Sequence, residues 1–245
     1  MIGIINFSHS DPLARSLEAG SFIRSHPSDI LTRVLDGRLD CGMVSLVSYL
    51  RNADKLGIME TANIHSLSST LSTLLISRNM DLRNDMKISI TSHTRTTEFY
   101  LDMVLERLGF SYKKIASSCT GATELLSEAE YALVIGDEAL RAFSGTDRIL
   151  LDIGYEISRL YSMPPVYAVT VYRKDNGLPQ GDLELLQEGV RVAPESRKAS
   201  ALEAAKRLGI PTGIMEAYYR YIRYDFDKSV RNTIDYVSRS ISGKS

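Results

Sequence analysis

The chain has 245 residues, of which 44% are hydrophobic and 24% charged, and 29 Lys and Arg residues balance 30 Asp and Glu residues. This composition is typical of a folded globular protein, and the near-zero net charge argues against nucleic acid as a partner. The length fits one large domain or two small ones. No apolar run approaches the roughly 20 residues that span a bilayer, and residues 1–7 lack the features of a signal peptide. We therefore expect a cytoplasmic protein with no membrane partner.

The histidines and cysteines of the chain, which often hold metals, occur only singly. The four histidines and two cysteines are His9, His26, His65, His93, Cys41 and Cys119. They show no zinc-ligand spacing, and the chain has neither GxGxxG nor GxxxxGK[ST], the nucleotide-binding motifs. We expect no metal and no cofactor.

The first part of the chain alternates short apolar runs, rich in β-branched residues, with segments of helical period, which predicts parallel α/β units. Strands are predicted at 2–7, 41–44, 64–67 and 71–76, and helices at 11–20, 28–37 and 45–51. A polar stretch at 78–85 ends this series. We interpret it as a crossing between two lobes.

The second part repeats the pattern. Strands are predicted at 87–91, 112–115, 132–135, 149–151 and 166–172, and helices at 96–108, after Thr120 and from Asp137. The prolines before residue 166 favour extended chain, which we interpret as the return crossing. From residue 183 the pattern is helical, with Asp225 or Asp227 as a cap. The predicted first lobe is 1–78 plus 166–245, with 79–165 as an inserted second lobe.

Polar residues follow several predicted strands, where ligands of α/β proteins bind against helix N-termini. These junctions are 8–11, Ser45, 91–97 and 136–138. Residues 91–97 carry hydroxyls, the imidazole of His93 and the guanidinium of Arg95 before a helix, a pattern that suits a carboxylate ligand. The alternative is a loop capped by Thr96 or Thr97, with its other polar groups solvated.

Two single residues are candidates of the same kind. Asp137 follows a predicted buried strand, so it is either a functional carboxylate or an N-cap of the helix that follows. His9 lies just beyond the first strand and carries the side chain that titrates nearest neutrality. Residue chemistry alone predicts a two-lobed α/β protein with an anion site and leaves the reaction open.

A succession of short motifs does resemble one family. The motifs are 2–13, 35–45, 72–78, 91–97, Ile135-Gly136-Asp137-Glu138-Ala139-Leu140, Asp152-Ile153-Gly154, 160–169 and Arg223-Tyr224-Asp225. In this order they look like the chorismate dehydratases of the futalosine route to menaquinone, and the resemblance covers most of the chain.

The resemblance implies a fold and a reaction. The fold would be the two-lobed type 2 periplasmic-binding-protein fold with a central cleft. The reaction would be loss of water from chorismate, a dicarboxylate, to give 3-[(1-carboxyvinyl)oxy]benzoate. One alternative is the sister enzyme 1,4-dihydroxy-6-naphthoate synthase, which Phe7-Ser8 resemble but which usually has a His where this chain has Gly136-Asp137. The other is a non-enzymatic intracellular solute-binding protein for an aromatic carboxylate.

The resemblance also implies site residues. The family's Ser and Asp that line the reacting ring correspond to Ser72 and Asp137, and its first-strand Asn corresponds to His9, a departure from the pattern. Asp137 would be the acid/base group near the departing hydroxyl, while Ser72 and His9 would hold or protonate ring substituents. The substrate-binding residues would be Ser45, Thr91, Ser92, Thr96, Thr97 and Gly136. The oligomeric state stays open.

Overall fold

A computed structural model describes residues 1–78, 81–92, 94–145 and 148–243. The start of the predicted inserted lobe at residue 79, and His93 of the predicted anion site, lie outside the described residues. The strands are β1 (Ile2–Ile5), β2 (Phe22–Ser25), β3 (Cys41–Ser45), β4 (Leu56–Ser66), β5 (Thr73–Ser77), β6 (Met86–Thr91), β7 (Tyr112–Ser117), β8 (Tyr131–Ile135), β9 (Arg148–Asp152), β10 (Val166–Arg173) and β11 (Ile222–Arg223).

Up to β10 the helices alternate with the strands, except that β4, β5 and β6 follow one another, and helices dominate the C-terminal part. They are α1 (Asp11–Arg15), α2 (Pro27–Leu35), α3 (Leu46–Leu50), α4 (Arg95–Leu108), α5 (Ala122–Glu128), α6 (Gly136–Phe143), α7 (Ile153–Tyr161), α8 (Gln180–Leu208), α9 (Thr212–Tyr221) and α10 (Lys228–Ser242). Among the described residues, none of these helices combines the length and the apolar character that a membrane crossing requires.

The first of two compact units contains Met1–His65, Val166–Glu203 and Ile222–Ser245. Its sheet has the strand order β11-β4-β10-β3-β1-β2, with β1 parallel to β2 and β3 and with β10 antiparallel to β3 and β4. Helix α2 packs closely on β1, since a Cβ added at Gly3 would lie 2.7 Å from a methyl carbon of the fully buried Ile30. Because β1 and β3 are parallel, their carboxyl ends meet at one edge of this sheet.

The second unit contains Ser66–Pro165 and Ala204–Tyr221. Its strand order is β7-β6-β8-β5-β9, where β6 is parallel to β7 and β8, and β5 is antiparallel to both β8 and β9. The carboxyl ends of β6, β8 and β9 and the amino end of β5 therefore share one edge. Apolar side chains of β5, β8, α5 and α6 form a buried cluster below that edge and fix these elements together.

The α/β prediction is confirmed, but the sheets are mixed and not parallel. The division of the chain also differs from the predicted one at two places. Strand β5 hydrogen-bonds to β8 and β9, so the second unit begins at Ser66 and not at residue 79, and 204–221 pack with it as well. An apolar run such as 71–76 predicts a strand, whereas its partner strands are far away along the chain and leave no local signal.

Several elements differ from the sequence prediction. Helix α1 ends at Arg15 and not at Gly20, β4 is longer than the predicted strand at 64–67, and β2 and α7 were not predicted. The predicted cap of the last helix is confirmed for Asp227, whose carboxylate accepts the N–H of Val230 at 2.9 Å.

Candidate functional site

The shared edge of the second sheet brings Ser72 beside Gly136 and Asp137. Ser72 directly precedes β5, Gly136 directly follows β8, and the register pairs Thr73 with Ile135. The N–H of Gly136 donates to the carbonyl of Ser72 at 2.8 Å. The antiparallel pairing of β5 and β8 is thus what joins residues that lie more than 60 positions apart in the sequence.

Asp137 is the second residue of α6 and lies in its first turn. The N-cap position belongs to Ile135, in extended conformation, and Gly136 turns the chain into the helix with φ +60°, a value that glycine tolerates. The alternative that Asp137 is the N-cap is therefore wrong. Its side chain is 19% exposed, and its Oδ2 lies 3.8 Å from Nη2 of Arg207, at the end of α8.

Helix α4 begins beside this group, after β6. Thr91 and Thr94 are 2% and 3% exposed, and their hydroxyls have no hydrogen-bond partner within the described part of the chain. Thr96 and Thr97 are buried in the first helical turn, whereas Ser92 is exposed. Because four of these hydroxyl-bearing residues are buried, the alternative of a solvated loop is wrong, and Thr94, not Thr96 or Thr97, holds the N-cap position.

The two unpartnered hydroxyls point to a ligand. A buried hydroxyl without a partner costs about 1–3 kcal/mol, so such groups persist where something else binds them. The N-terminus of a 14-residue helix adds backbone N–H donors and the positive end of its dipole. Hydroxyl donors and a helix N-terminus suit a carboxylate. Thr94 was missed as a candidate although it lies within the predicted stretch at 91–97.

His9 belongs to the first unit, in a 3₁₀ turn (Ser8–Ser10) that follows β1. Its Nδ1 lies 2.8 Å from Oγ of Ser10, and its ring meets that of Phe7 edge to face at 5.8 Å between centroids. Burial lowers the pKa of His9 to about 4, so the imidazole is neutral near pH 7. Its backbone carbonyl accepts the buried hydroxyl of Tyr224 at 2.6 Å.

Ser45 also lies in the first unit, at the end of β3, where it is the N-cap of α3. Its Oγ accepts the N–H of Ser48 at 3.2 Å and donates to Oγ of Ser48 at 2.8 Å. Since a hydroxyl has one proton to donate, this arrangement leaves none for a carboxylate ligand.

The fold defines the class of protein. The chain is similar to the periplasmic aliphatic sulphonate-binding protein SsuA of Escherichia coli, at 15% identity and a TM-score of 0.68, over 99% of this chain and 86% of that one. It is also similar to protein AF1704 of Archaeoglobus fulgidus, at 12% identity and a TM-score of 0.75, over 100% and 97% of the two chains. The fold is that of the periplasmic binding proteins, as predicted.

The sequence comparisons identify a family among the proteins that share this fold. Residues 1–241 match the family described as menaquinone biosynthesis, and the chain belongs to that family. A curated relative is the chorismate dehydratase of Thermus thermophilus, which is 24% identical over 250 residues that cover 94% of this chain and 91% of the relative. The family resemblance seen in the sequence motifs is thereby confirmed.

Proposed function

We propose that this protein is a chorismate dehydratase, a carbon-oxygen lyase that converts chorismate to 3-[(1-carboxyvinyl)oxy]benzoate in menaquinone biosynthesis. The family membership and the Thermus relative support the reaction class. The observation that carries the proposal is the edge of the second sheet, where the unpartnered hydroxyls of Thr91 and Thr94 start one helix and Asp137 starts another.

Chorismate has two carboxylates, and the start of α4 suits one of them. In the proposal, Thr91 and Thr94 donate hydrogen bonds to a substrate carboxylate, and the first-turn residues Thr96 and Thr97 supply backbone N–H groups. Ser92 adds an exposed hydroxyl at the rim. Hydrogen bonds from these hydroxyls would satisfy donors that are buried without a partner in the described residues.

The elimination requires a fixed substrate geometry and a general acid/base group. The C–H bond breaks at the ring carbon that bears the enolpyruvyl ether, and its proton passes to a general base. The electron pair of that bond forms a ring double bond, and the neighbouring C–O bond breaks. The departing hydroxyl takes up a proton and leaves as water. Since the product ring is aromatic, the reaction is strongly favoured, and acid/base assistance in a fixed geometry suffices. Asp137 is assigned to the departing hydroxyl, and Ser72 to a ring substituent.

The roles assigned to His9 and Gly136 stay predictions, and Ser45 is left out of the proposal because its hydroxyl proton is donated to Ser48. A neutral imidazole can donate one hydrogen bond, as the family's amide does, and the Nδ1 of His9 already lies within hydrogen-bond distance of Ser10, so Nε2 is the atom for a substrate. Gly136 is a backbone contact, since it has no side chain.

The test is turnover of chorismate by the purified protein, followed by detection of the enolpyruvyl benzoate by chromatography and mass. We expect product with wild type and a loss of about 100-fold or more in kcat with Asp137→Asn. The matched control is Glu138→Gln in the same helical turn, whose carboxylate pairs with Arg141; it should keep near-normal turnover.

Three other results would contradict the proposal. Conversion of a cyclic futalosine-type substrate instead of chorismate would indicate the sister enzyme. Thermal stabilisation by chorismate without turnover would indicate a solute-binding protein. Equal rates for wild type and Asp137→Asn would remove Asp137 from the chemistry.

A further inference from the structure

The carboxylate of Asp152, the last residue of β9, makes more hydrogen bonds than a helix cap requires. As the N-cap of α7, it accepts the N–H of Tyr155 on Oδ1 at 3.1 Å. It also accepts hydrogen bonds from the segment before β5: from the hydroxyl of Ser69, the N–H of Thr70 at 3.0 Å, the hydroxyl of Thr70 at 3.1 Å and the N–H of Leu71 at 2.9 Å. This one carboxylate thus ties 69–71 to the start of α7.

Asp227 is an N-cap residue that lacks hydrogen bonds of this additional kind. It is the N-cap of α10 and accepts the N–H of Val230 at 2.9 Å and the hydroxyl of Ser229 at 2.6 Å, both within its own first turn. Within the described part of the chain, the Asp227 carboxylate makes no hydrogen bond to a distant segment. The two aspartates therefore share the capping role and differ in the bonds that Asp152 makes across the sheet.

The segment that Asp152 holds carries backbone strain next to Ser72. Leu71 has φ +53°, a left-handed conformation that a residue with a Cβ adopts only where its surroundings enforce it. Ser72 follows directly, and its carbonyl accepts the N–H of Gly136. The Thr70 hydroxyl, which donates to Asp152, also lies 2.7 Å from that of Thr73. Asp152 is thus linked to Gly136 by its hydrogen bond to Leu71, the peptide bond from Leu71 to Ser72 and the hydrogen bond between Ser72 and Gly136.

We infer that Asp152 is a positioning residue for the reaction: it fixes 69–71 so that Ser72 and the Gly136-Asp137 pair keep one geometry. The inference rests on the proposed function for its catalytic meaning. Asp152 acts through Ser72, so its loss changes the orientation of a reacting group and leaves the start of α4, beyond β8, unchanged.

A double-mutant cycle with Asp152→Asn and Ser72→Ala tests the coupling. We expect Asp152→Asn to lower kcat at least about tenfold while KM for chorismate changes less than about threefold. On the Ser72→Ala background, the same substitution should lower kcat by a smaller factor than in wild type, because the part of its effect that passes through the Ser72 hydroxyl is gone while the Ser72 carbonyl still holds Gly136. Asp227→Asn is the matched control and should leave kcat unchanged. Multiplicative losses in the double variant, or an equal loss in Asp227→Asn, would overturn the inference.

Hydrogen exchange in the ligand-free protein separates this inference from the proposed function. In Asp152→Asn the amides of Leu71 and Gly136 should exchange at least about tenfold faster, while those of β6 and β7 keep their protection. Unchanged exchange at Gly136 would overturn the inference whatever the substrate is. Faster exchange at Gly136 in a protein that does not convert chorismate would support the positioning and refute the proposed function. If Asp152→Asn does not fold, Thr70→Val removes the hydroxyl bond to Asp152 and the contact with Thr73 but keeps the cap, and the same directions of change, at smaller size, decide the inference.

Discussion

The two units place hydroxyl-bearing residues at the same kind of position, directly after a strand and before a helix, but bond them differently. In the first unit, Ser45 both accepts from and donates to Ser48. In the second, Thr91 and Thr94 are buried with no partner for their hydroxyls among the described residues. A hydroxyl of the first kind stabilises the fold, and one of the second kind costs stability until a ligand binds it. The two junctions thus differ in whether their hydroxyls have hydrogen-bond partners, and not in residue type.

The largest effect should follow from removing both hydroxyls of the second unit. Thr91→Val with Thr94→Val keeps the side-chain shape and replaces each hydroxyl by a methyl group. We expect KM for chorismate to rise at least about 100-fold, since each of the two hydrogen bonds to a charged group contributes about 1.5–3 kcal/mol. The free energy of unfolding should stay equal or increase, because two buried unsatisfied groups disappear. Steady-state kinetics and denaturant unfolding measure the two quantities.

A loss of stability without a change of KM would show that these hydroxyls serve the fold. In that case the second unit would resemble the first, and the comparison between the two junctions would fail.

A smaller effect is expected at Ser72, which shares the edge with Asp137. Ser72→Ala removes one hydrogen-bond donor to the substrate, worth about 1.4 kcal/mol, and should lower kcat about tenfold. Ser77→Ala, at the opposite end of the same strand, is the control and should leave kcat unchanged. If both variants lower kcat alike, β5 matters as a strand and Ser72 has no role of its own.

The residues at the edge of the second sheet show how much of the candidate site can be predicted from the sequence. The stretch at 91–97 was predicted to be an anion site because it contains seven consecutive polar residues at the start of a predicted helix, a local pattern. Which of its hydroxyls lack partners depends on packing, so Thr94 was missed. The bonds of Ser45 were also invisible, since a Ser three residues before another Ser fits a helix cap and a ligand contact equally well.

The pairing of strands that are distant in the sequence could not be predicted either. Apolar runs located most strands, but β5 was assigned to the first lobe because nothing in 73–77 encodes that it pairs with β8 and β9. The same holds for Arg207, whose approach to Asp137 joins the end of α8 to the start of α6. Asp137 was a candidate from its place after a predicted strand, whereas Ser72 was named only through the family resemblance, since no spacing in the sequence connects the two.

His9 provides a prediction on pH. Its pKa is lowered from the ordinary value of 6.5 to about 4, chiefly by burial. The unfolded chain therefore binds a proton below about pH 6.5 that the folded protein does not bind until about pH 4, and this site makes stability fall as the pH decreases through that window. We expect His9→Asn to flatten the decrease in Tm between pH 6.5 and 4, while His26→Asn leaves it unchanged. Identical profiles for His9→Asn and wild type would show that burial of His9 does not govern the pH dependence.

The smallest effect is expected in the first unit, at Ser45. Ser45→Ala removes the acceptor for the N–H of Ser48 and should lower the free energy of unfolding by about 1 kcal/mol, as loss of an N-cap does. KM for chorismate should not change, because the Ser45 proton is donated to Ser48 and not to a ligand. Denaturant unfolding and steady-state kinetics on the same preparation measure both. A raised KM at unchanged stability would mean that Ser45 turns from Ser48 to the substrate, and hydroxyls of both units would then bind carboxylates.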